Sequence, residues 1–280
     1  KDLMIGRVAA VWVGAAMLAA CTPAPASRSG SYPVIVSMNP CADAILADIA
    51  PDHLAAISHY SHDPAGSSMP QDFASRFPAV SGNAEDVAAF DPDIVVASTF
   101  LPPATENALR EMGIPVIKTG GIASIDDSIR QIRQLASVAH EQRAGERLVG
   151  RIEKAVHEAA RSGEPEMAAL VWQTGGLVPG EQTLISDLLG HSGFTNWSAG
   201  RGLGQGTVLP LEQVLADPPP LMLVAGSGPE EENRKLHHPA LGSLSATRRF
   251  KLDPTLLFCG GPTIPRALRR LQDIRRESAS

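Results

Sequence analysis

The side chains in this 280-residue chain best suited to chemistry form one short run: His59, His62 and Asp63, with His53 just before them. Two imidazoles three positions apart and an adjoining carboxylate are the donors that Zn²⁺ or Mn²⁺ takes. A direct metal carrier or a secreted metalloenzyme built on His59, His62 and Asp63 is therefore one reading. The second half offers His191, His237 and His238, none at the end of an expected strand, so no protein-held metal is expected. Nucleophilic catalysis lacks its motif. No G-x-S-x-G occurs, and Gly190-His191-Ser192-Gly193 has the wrong order. The glycine-rich run 200–206 does not fit G-x-G-x-x-G, and no G-x-x-x-x-G-K-[ST] exists to hydrolyse ATP. The chain is expected to be no enzyme and to carry no resident cofactor.

Composition narrows the classes further. The chain is 44% hydrophobic and 19% charged, which supports a sizeable core and excludes wholesale disorder. Three cysteines are too few for a disulfide-dense scaffold or a Cys₄ zinc module. A net charge of −6 without a Lys/Arg-rich run argues against nucleic acid as a partner.

The N-terminus reads as an address. Lys1 and Arg7 precede an apolar run over residues 8–20. Thirteen helical residues rise about 20 Å, short of the roughly 30 Å hydrocarbon core, so residues 1–20 read as a signal peptide. Leu18-Ala19-Ala20-Cys21 resembles the lipobox of bacterial lipoproteins, which implies lipidation of Cys21; ordinary secretory cleavage is the alternative. Residues 21–32, rich in Pro, Ala and Ser, read as a flexible tether. An exported protein, held at a membrane by a lipid, is the expectation.

The remainder must position any site. Residues 33–140 alternate short β-rich runs (34–36, 54–57, 94–97, 116–118) with helical stretches (41–49, 84–90, 103–112), the pattern of a parallel, helix-flanked sheet. From Ser124, with Asp127 as a capping partner, helix continues for nearly forty residues with a break near His140. Residues 141–162 read as a connecting helix. Alternation resumes over 163–280, with strands at 168–172, 221–225 and 256–259, helices at 184–191 and 211–216, and a closing amphipathic helix at 264–276. Glu85-Asp86-Val87-Ala88-Ala89, leading through Pro92 to a strand, repeats at the same offsets as Glu212-Gln213-Val214-Leu215-Ala216 and Pro219. The fold class is α/β: two doubly wound lobes joined by one long helix, with a ligand cleft between them.

The runs VIVSMNPCADAILADIA, ISHYSHDP, GNAEDVAAFDPDIVVAS, VWQTGGLVPGEQTLISDLLGHSGFTNW, LPLEQVLADPPPLMLVA and FCGGP, in that order, resemble the periplasmic solute-binding proteins of ABC importers of the cobalamin and ferric-siderophore type. The likeness spans roughly residues 33–276. It implies a metal chelate (cobalamin or another corrinoid, a ferric siderophore, or haem) held between the lobes as cargo, and delivery to a permease with separate ATPase subunits. It also implies a periplasmic monomer. Ligands of doubly wound sheets sit beyond the carboxyl ends of the strands. The loops there supply the candidate ligand-binding residues Asn39, Tyr60, His62, Asn83, Phe100, Gln173, Gly175, Gly176 and Gln205. Tyr60 takes the place of a ligand-facing aromatic in the resembled proteins; a half-buried packing tyrosine is its alternative. The resemblance gives Glu85 and Glu212, one per lobe beside the cleft mouth, the role of docking on permease arginines. In an oxidising compartment Cys41 and Cys259 would pair, closing a loop of about 218 residues; two separate buried thiols are the alternative.

Overall fold

Short runs of Val, Ile, Leu and Ala form strands here because both faces of each run find an apolar layer to cover them. The computed structural model describes residues 32–160, 165–204, 206–226 and 238–279, with Tyr32–Ser280 forming one compact unit. The proposed signal peptide, Cys21, Gln205 and His237 lie outside the described residues.

The first sheet contains β1 (Ile35–Ser37), β2 (Leu54–Ser58), β3 (Ala79–Val80), β4 (Ile94–Ser98) and β5 (Val116–Thr119). Its order is β3-β2-β1-β4-β5 and every pair is parallel. The helices on it are α1 (Pro40–Ile49), α2 (Gln71–Ala74), α3 (Ala84–Ala88) and α4 (Pro103–Glu111). The chain then passes through α5 (Ile125–Val138) and α6 (Gln142–Ala159) into β6 (Met167–Gln173), β7 (Leu177–Val178), α7 (Leu184–His191) and β8 (Phe194–Asn196). β9 (Thr207–Val208), α8 (Leu211–Ala216), β10 (Leu221–Ala225), β11 (Arg248–Lys251) and α9 (Ile264–Ala279) complete it. The second sheet is parallel in the order β11-β10-β6-β8, and β7 and β9 form a separate antiparallel ribbon. The two sheets share a plan. β1 and β6 each lie between the strand that follows their helix (β2, β8) and the strand preceded by the repeated Glu-containing helix (β4, β10).

Strand period assigns the faces. In β6, Ala169 and Val171 point into the large central core, while Leu170 and Trp172 point to an outer cluster with Trp197 and Val214. In the first sheet Ile35 and Val96 face the central core, and Val36 and Val95 face an outer cluster with Val87 and Leu109. The central core is common to both sheets. Helices α1, α5, α6, α7 and α9 fill it with Ile45, Leu46, Ile132, Leu135, Leu148, Ile152, Leu188, Leu268 and Leu271.

The sheets are connected by one long helix, α6, with α5 packed alongside it. The chain breaks at His140, whose φ is +57°, and α6 runs back along α5. Arg133 pairs with Glu146 across the two helices, and a Cβ on Gly145 would come within 2.5 Å of Ala136 Cβ. Helix α6, about 27 Å long, also packs against α9. The strand expected at 256–259 is absent. Asp253 caps a 3₁₀ turn at Pro254–Leu256, because a carboxylate before a proline satisfies the turn's first N–H groups, and a second 3₁₀ turn follows at Gly261–Thr263.

That segment is a tight joint. A disulfide links Cys259 to Cys41 in the first turn of α1. Gly261, at φ +61°, donates its N–H to Ser128 Oγ of α5 at 2.8 Å, and a Cβ there would lie 2.6 Å from Ile45 of α1. A Cβ on Gly260 would meet Ile122 at 2.4 Å and Ser128 Oγ at 2.5 Å. Three elements of the shared core thus meet at two glycines and one covalent bond. The disulfide closes a loop of separation 218, and the loop-entropy relation gives it about 5 kcal/mol. Urea unfolding with and without reductant should show a loss of that order, with the Cys41→Ser/Cys259→Ser variant matching the reduced protein. Gly261→Ala should lose stability as well, by a route that reductant does not reproduce.

Candidate functional site

Because both main sheets are parallel, the carboxyl ends of β1, β4, β5 and β6 bound one cavity, of about 440 Å³. The first lobe contributes Asn39 and Cys41 after β1, Ser98 and Phe100 after β4, Thr119–Ile122 at and after β5, and Gln131 of α5. The second contributes Gln173 at the end of β6, Leu177 and Val178 of the ribbon, Pro179, the start of α7 from Thr183 to Ile185, and Gly206. Leu257 and Phe258, just before the disulfide, complete the wall.

Each polar group there is fixed by an identifiable local interaction. Asn39 is the cap of α1: its Oδ1 accepts from Cys41 N at 3.0 Å, and its Nδ2 donates to Thr119 Oγ1 at 2.8 Å. Thr183 caps α7 equivalently, accepting from Ser186 N and donating to Gly180 O. The first turns of α1 and α7 therefore both border the cavity, and their N-terminal dipole ends favour electron-rich groups in it. Gln131 donates to Gly120 O at 3.1 Å and fixes the loop after β5. Ser98 accepts from Phe100 N at 3.1 Å, a turn that throws the Phe100 ring into solvent at 89% exposure. Gln173 has no side-chain hydrogen bond among the described residues, so its amide is available to a ligand. The described lining consists of amides, hydroxyls, a disulfide sulfur and apolar surface, with exposed Phe100, Leu177 and Phe258 at its rim.

Asn39, Phe100 and Gln173 are thus brought together, and the other candidates are placed elsewhere. Gly175 and Gly176, at φ +74° and +86°, form the tight turn that lets β7 start; Gly176 O accepts from Leu209 N and ties the ribbon together. Asn83 caps α3 by accepting from Asp86 N at 2.8 Å and lies outside the cavity wall. His62 Nε2 lies 3.1 Å from Ala74 O and 3.2 Å from Phe77 O, committed to holding α2 in place. His59 Nδ1 lies 3.1 Å from Val80 O, and Asp63 Oδ1 accepts from Ala65 N. These three side chains diverge towards local partners, and among the described residues no group of three or more His, Cys, Asp or Glu is placed to hold a metal ion.

Tyr60 sits on the 3₁₀ turn His59–His62 after β2, 60% exposed, with its ring tilted against His59 at 4.1 Å. It does not line the cavity. A buried carboxylate sets this turn. Asp43 of α1 accepts from Ser58 N at 2.9 Å and from Ser61 Oγ at 2.6 Å, and its other oxygen is also buried. Loss of hydration pushes its pKa from 3.8 up to about 7, against the lowering effect of its hydrogen bonds. Glu85 and Glu212 lie exposed in the first turns of α3 and α8.

What the sequence reading missed is the loop after β5, the ribbon residues Leu177–Pro179, the start of α7 and the pair Leu257–Phe258. Thr119-Gly120-Gly121 directly after a strand was the available signal for the first of these. The ribbon carries no such mark, since a two-residue strand is too short for period.

The fold and cleft are those of a two-lobed solute-binding protein. The chain matches the periplasmic binding protein family over residues 35–252, and it belongs to that family. No curated protein matches its sequence. Its fold is similar to that of the periplasmic heme-binding protein RhuT from Roseiflexus sp. RS-1, at 21% identity and a TM-score of 0.69, covering 89% of this chain and 100% of that one. It is similar also to the periplasmic heme-binding protein HutB of Vibrio cholerae (20% identity, TM-score 0.69, 86% and 98% covered). The periplasmic vitamin B12 binding protein BtuF of Vibrio cholerae is a further match (18% identity, TM-score 0.65, 88% and 97% covered).

Asp43 generates a test with a definite sign. A carboxyl whose folded pKa is raised binds its proton more tightly folded than unfolded, so its contribution is complete below about 3.8 and is lost as pH rises through about 7. Chemical unfolding between these values should show stability falling with pH, and Asp43→Asn should flatten that fall. An unchanged slope in the variant would assign the dependence to other groups.

Proposed function

We propose that the chain is the solute-capturing component of an ABC importer for a metal chelate, with a corrinoid such as cobalamin as the preferred cargo over a ferric siderophore or haem. It works in the periplasm, held to a membrane through lipid on Cys21, and delivers its cargo to the permease while separate subunits hydrolyse ATP. The observation that carries this is the character of the cavity wall. The uncommitted amide of Gln173 stands among apolar faces, with Phe100 and Phe258 free to lie against a flat ring. Such a wall suits a cargo that brings its own complete coordination sphere and an amide-bearing rim. Fold neighbours named for heme and for vitamin B12 support a flat tetrapyrrole-type cargo. The mechanism is binding and release: the shared core restricts the lobes to small adjustments, because opening them further would break packed apolar contacts and helix hydrogen bonds.

Titration with cyanocobalamin, cobinamide, haemin and ferric siderophores, followed by absorbance and thermal shift, tests the cargo. A bound chelate at a hundredfold excess over its Kd should stabilise the fold by about 2.7 kcal/mol. Corrinoids should give the largest shift; Gln173→Ala and Phe100→Ala should each weaken binding by roughly three- to tenfold. No shift with any chelate would remove the assignment.

Glu85 and Glu212 supply the docking points for the permease in this reading, one on each lobe at matching places of the internal repeat. Glu85→Arg/Glu212→Arg should abolish uptake in cells while leaving chelate affinity unchanged. Loss of affinity in that variant would place the two glutamates in cargo binding instead.

A further inference from the structure

On the flank of the molecule, α6, α9, α2 and the end of α1 enclose a groove of about 760 Å³. Five cations border it: Arg76, Arg151, Lys154, Arg266 and Arg269. Among the described residues only two acidic side chains do so, and each is taken: Asp48 pairs with Arg151, and Glu158 lies 3.7 Å from Lys154. Arg76 rests on the Phe73 ring at 4.9 Å and Arg266 donates to Ser68 O at 3.0 Å. Among the described residues, neither of these nor Arg269 has an acidic partner. A second depression shares Arg266 and Arg269 and is of mixed charge, with Lys251 and Arg270 beside Asp253 and Asp273, and Arg270 paired with Glu277. Three uncompensated cations concentrated on one flank of a chain of net charge −6 mark a surface built for an anion.

The chain's path identifies which anion. Tyr32, where the described body begins, stacks on His53 with ring centroids 4.5 Å apart, and His53 is two residues from Pro51 on the groove's edge. The ten residues between Cys21 and Tyr32 can span at most about 36 Å. A membrane holding lipid on Cys21 is therefore within reach of this flank. Helix α1 sets the orientation. Its first turn, with Cys41, lines the cargo cavity and its last turn, with Asp48, lines the groove, roughly 10 Å away along the helix.

We infer that this groove docks the phosphate-bearing headgroups of an anionic lipid surface, so that the anchored protein rests on its membrane with the cargo cavity turned away from it. The inference rests on the exported, lipid-anchored reading given above. Release from the membrane then precedes docking on the permease through the cleft-side glutamates.

The test uses the full chain carrying Cys21→Ser, mixed with vesicles of phosphatidylglycerol in phosphatidylcholine and with vesicles of phosphatidylcholine alone. All variants share the same N-terminus, basic residues Lys1 and Arg7 included, so the change in anionic preference from one variant to another reports the groove. Binding should be stronger on the anionic vesicles and should weaken as salt is raised. Arg76→Glu/Arg269→Glu should cut the anionic preference by at least roughly thirtyfold, since each cation beside such a surface contributes about fivefold. Melting temperature and corrinoid affinity of that variant establish that it is folded. Equal binding to both lipids, or an anionic preference untouched by the double substitution, would overturn the inference. Full competition by millimolar inorganic phosphate, with phosphate alone binding as tightly, would overturn it too and assign the groove to a free anion. Absence of an acyl group on Cys21 in the wild-type protein, read by mass spectrometry, would overturn the anchoring reading separately, whatever the vesicles show.

Discussion

Everything in this molecule is arranged around one apolar core that two sheets share. Each sheet turns one face to it, and α5, α6 and α9 fill the space between with interlocking Leu and Ile side chains. The consequence is mechanical. Two separate domains on a linker would lose little by swinging apart, but lobes on a common core cannot separate without exposing it, at about 25 cal/mol for each Å² uncovered. The disulfide and the Gly260–Gly261 joint close the same seam at the level of covalent and steric contact. The cleft is therefore a preformed feature whose width the core sets.

A preformed cleft shapes what its wall can do. The capping residues Asn39 and Thr183 serve two ends at once: each starts a core helix and each presents that helix's first turn to the cavity. Side chains that hold structure in this way are already committed, and in the proposed reading recognition falls to those that are not. Gln173 and the exposed rings of Phe100 and Phe258 are of that kind.

The sequence showed the layout and some of the site. The longer helices and the central strands followed from alternation, while the short strands β3, β7, β8, β9 and β11 carry too little period to be read, and the repeat around Glu85 and Glu212 showed that the halves share a plan. Phe100 and Gln173 could be placed beside the cavity because one follows and the other ends a clear strand. Tyr60 also follows a clear strand, yet the direction of its turn depends on Asp43, a residue of another element whose buried carboxylate pulls Ser58 and Ser61 towards α1. The apolar run 256–259 has strand composition, but Asp253 and Pro254 commit the backbone to 3₁₀ turns before pairing can begin. In both cases the deciding contact is tertiary or lies just outside the window that carries the pattern.

The most direct measurement of the account is the distance between spin labels placed on α3 and α8, one per lobe, recorded by electron-spin dipolar spectroscopy with and without cyanocobalamin. Lobes fixed by a common core give a narrow distribution in the free protein that moves only slightly when cargo binds. A broad distribution in the free protein, collapsing to a new and much shorter distance on binding, would show freely hinged lobes and contradict the account.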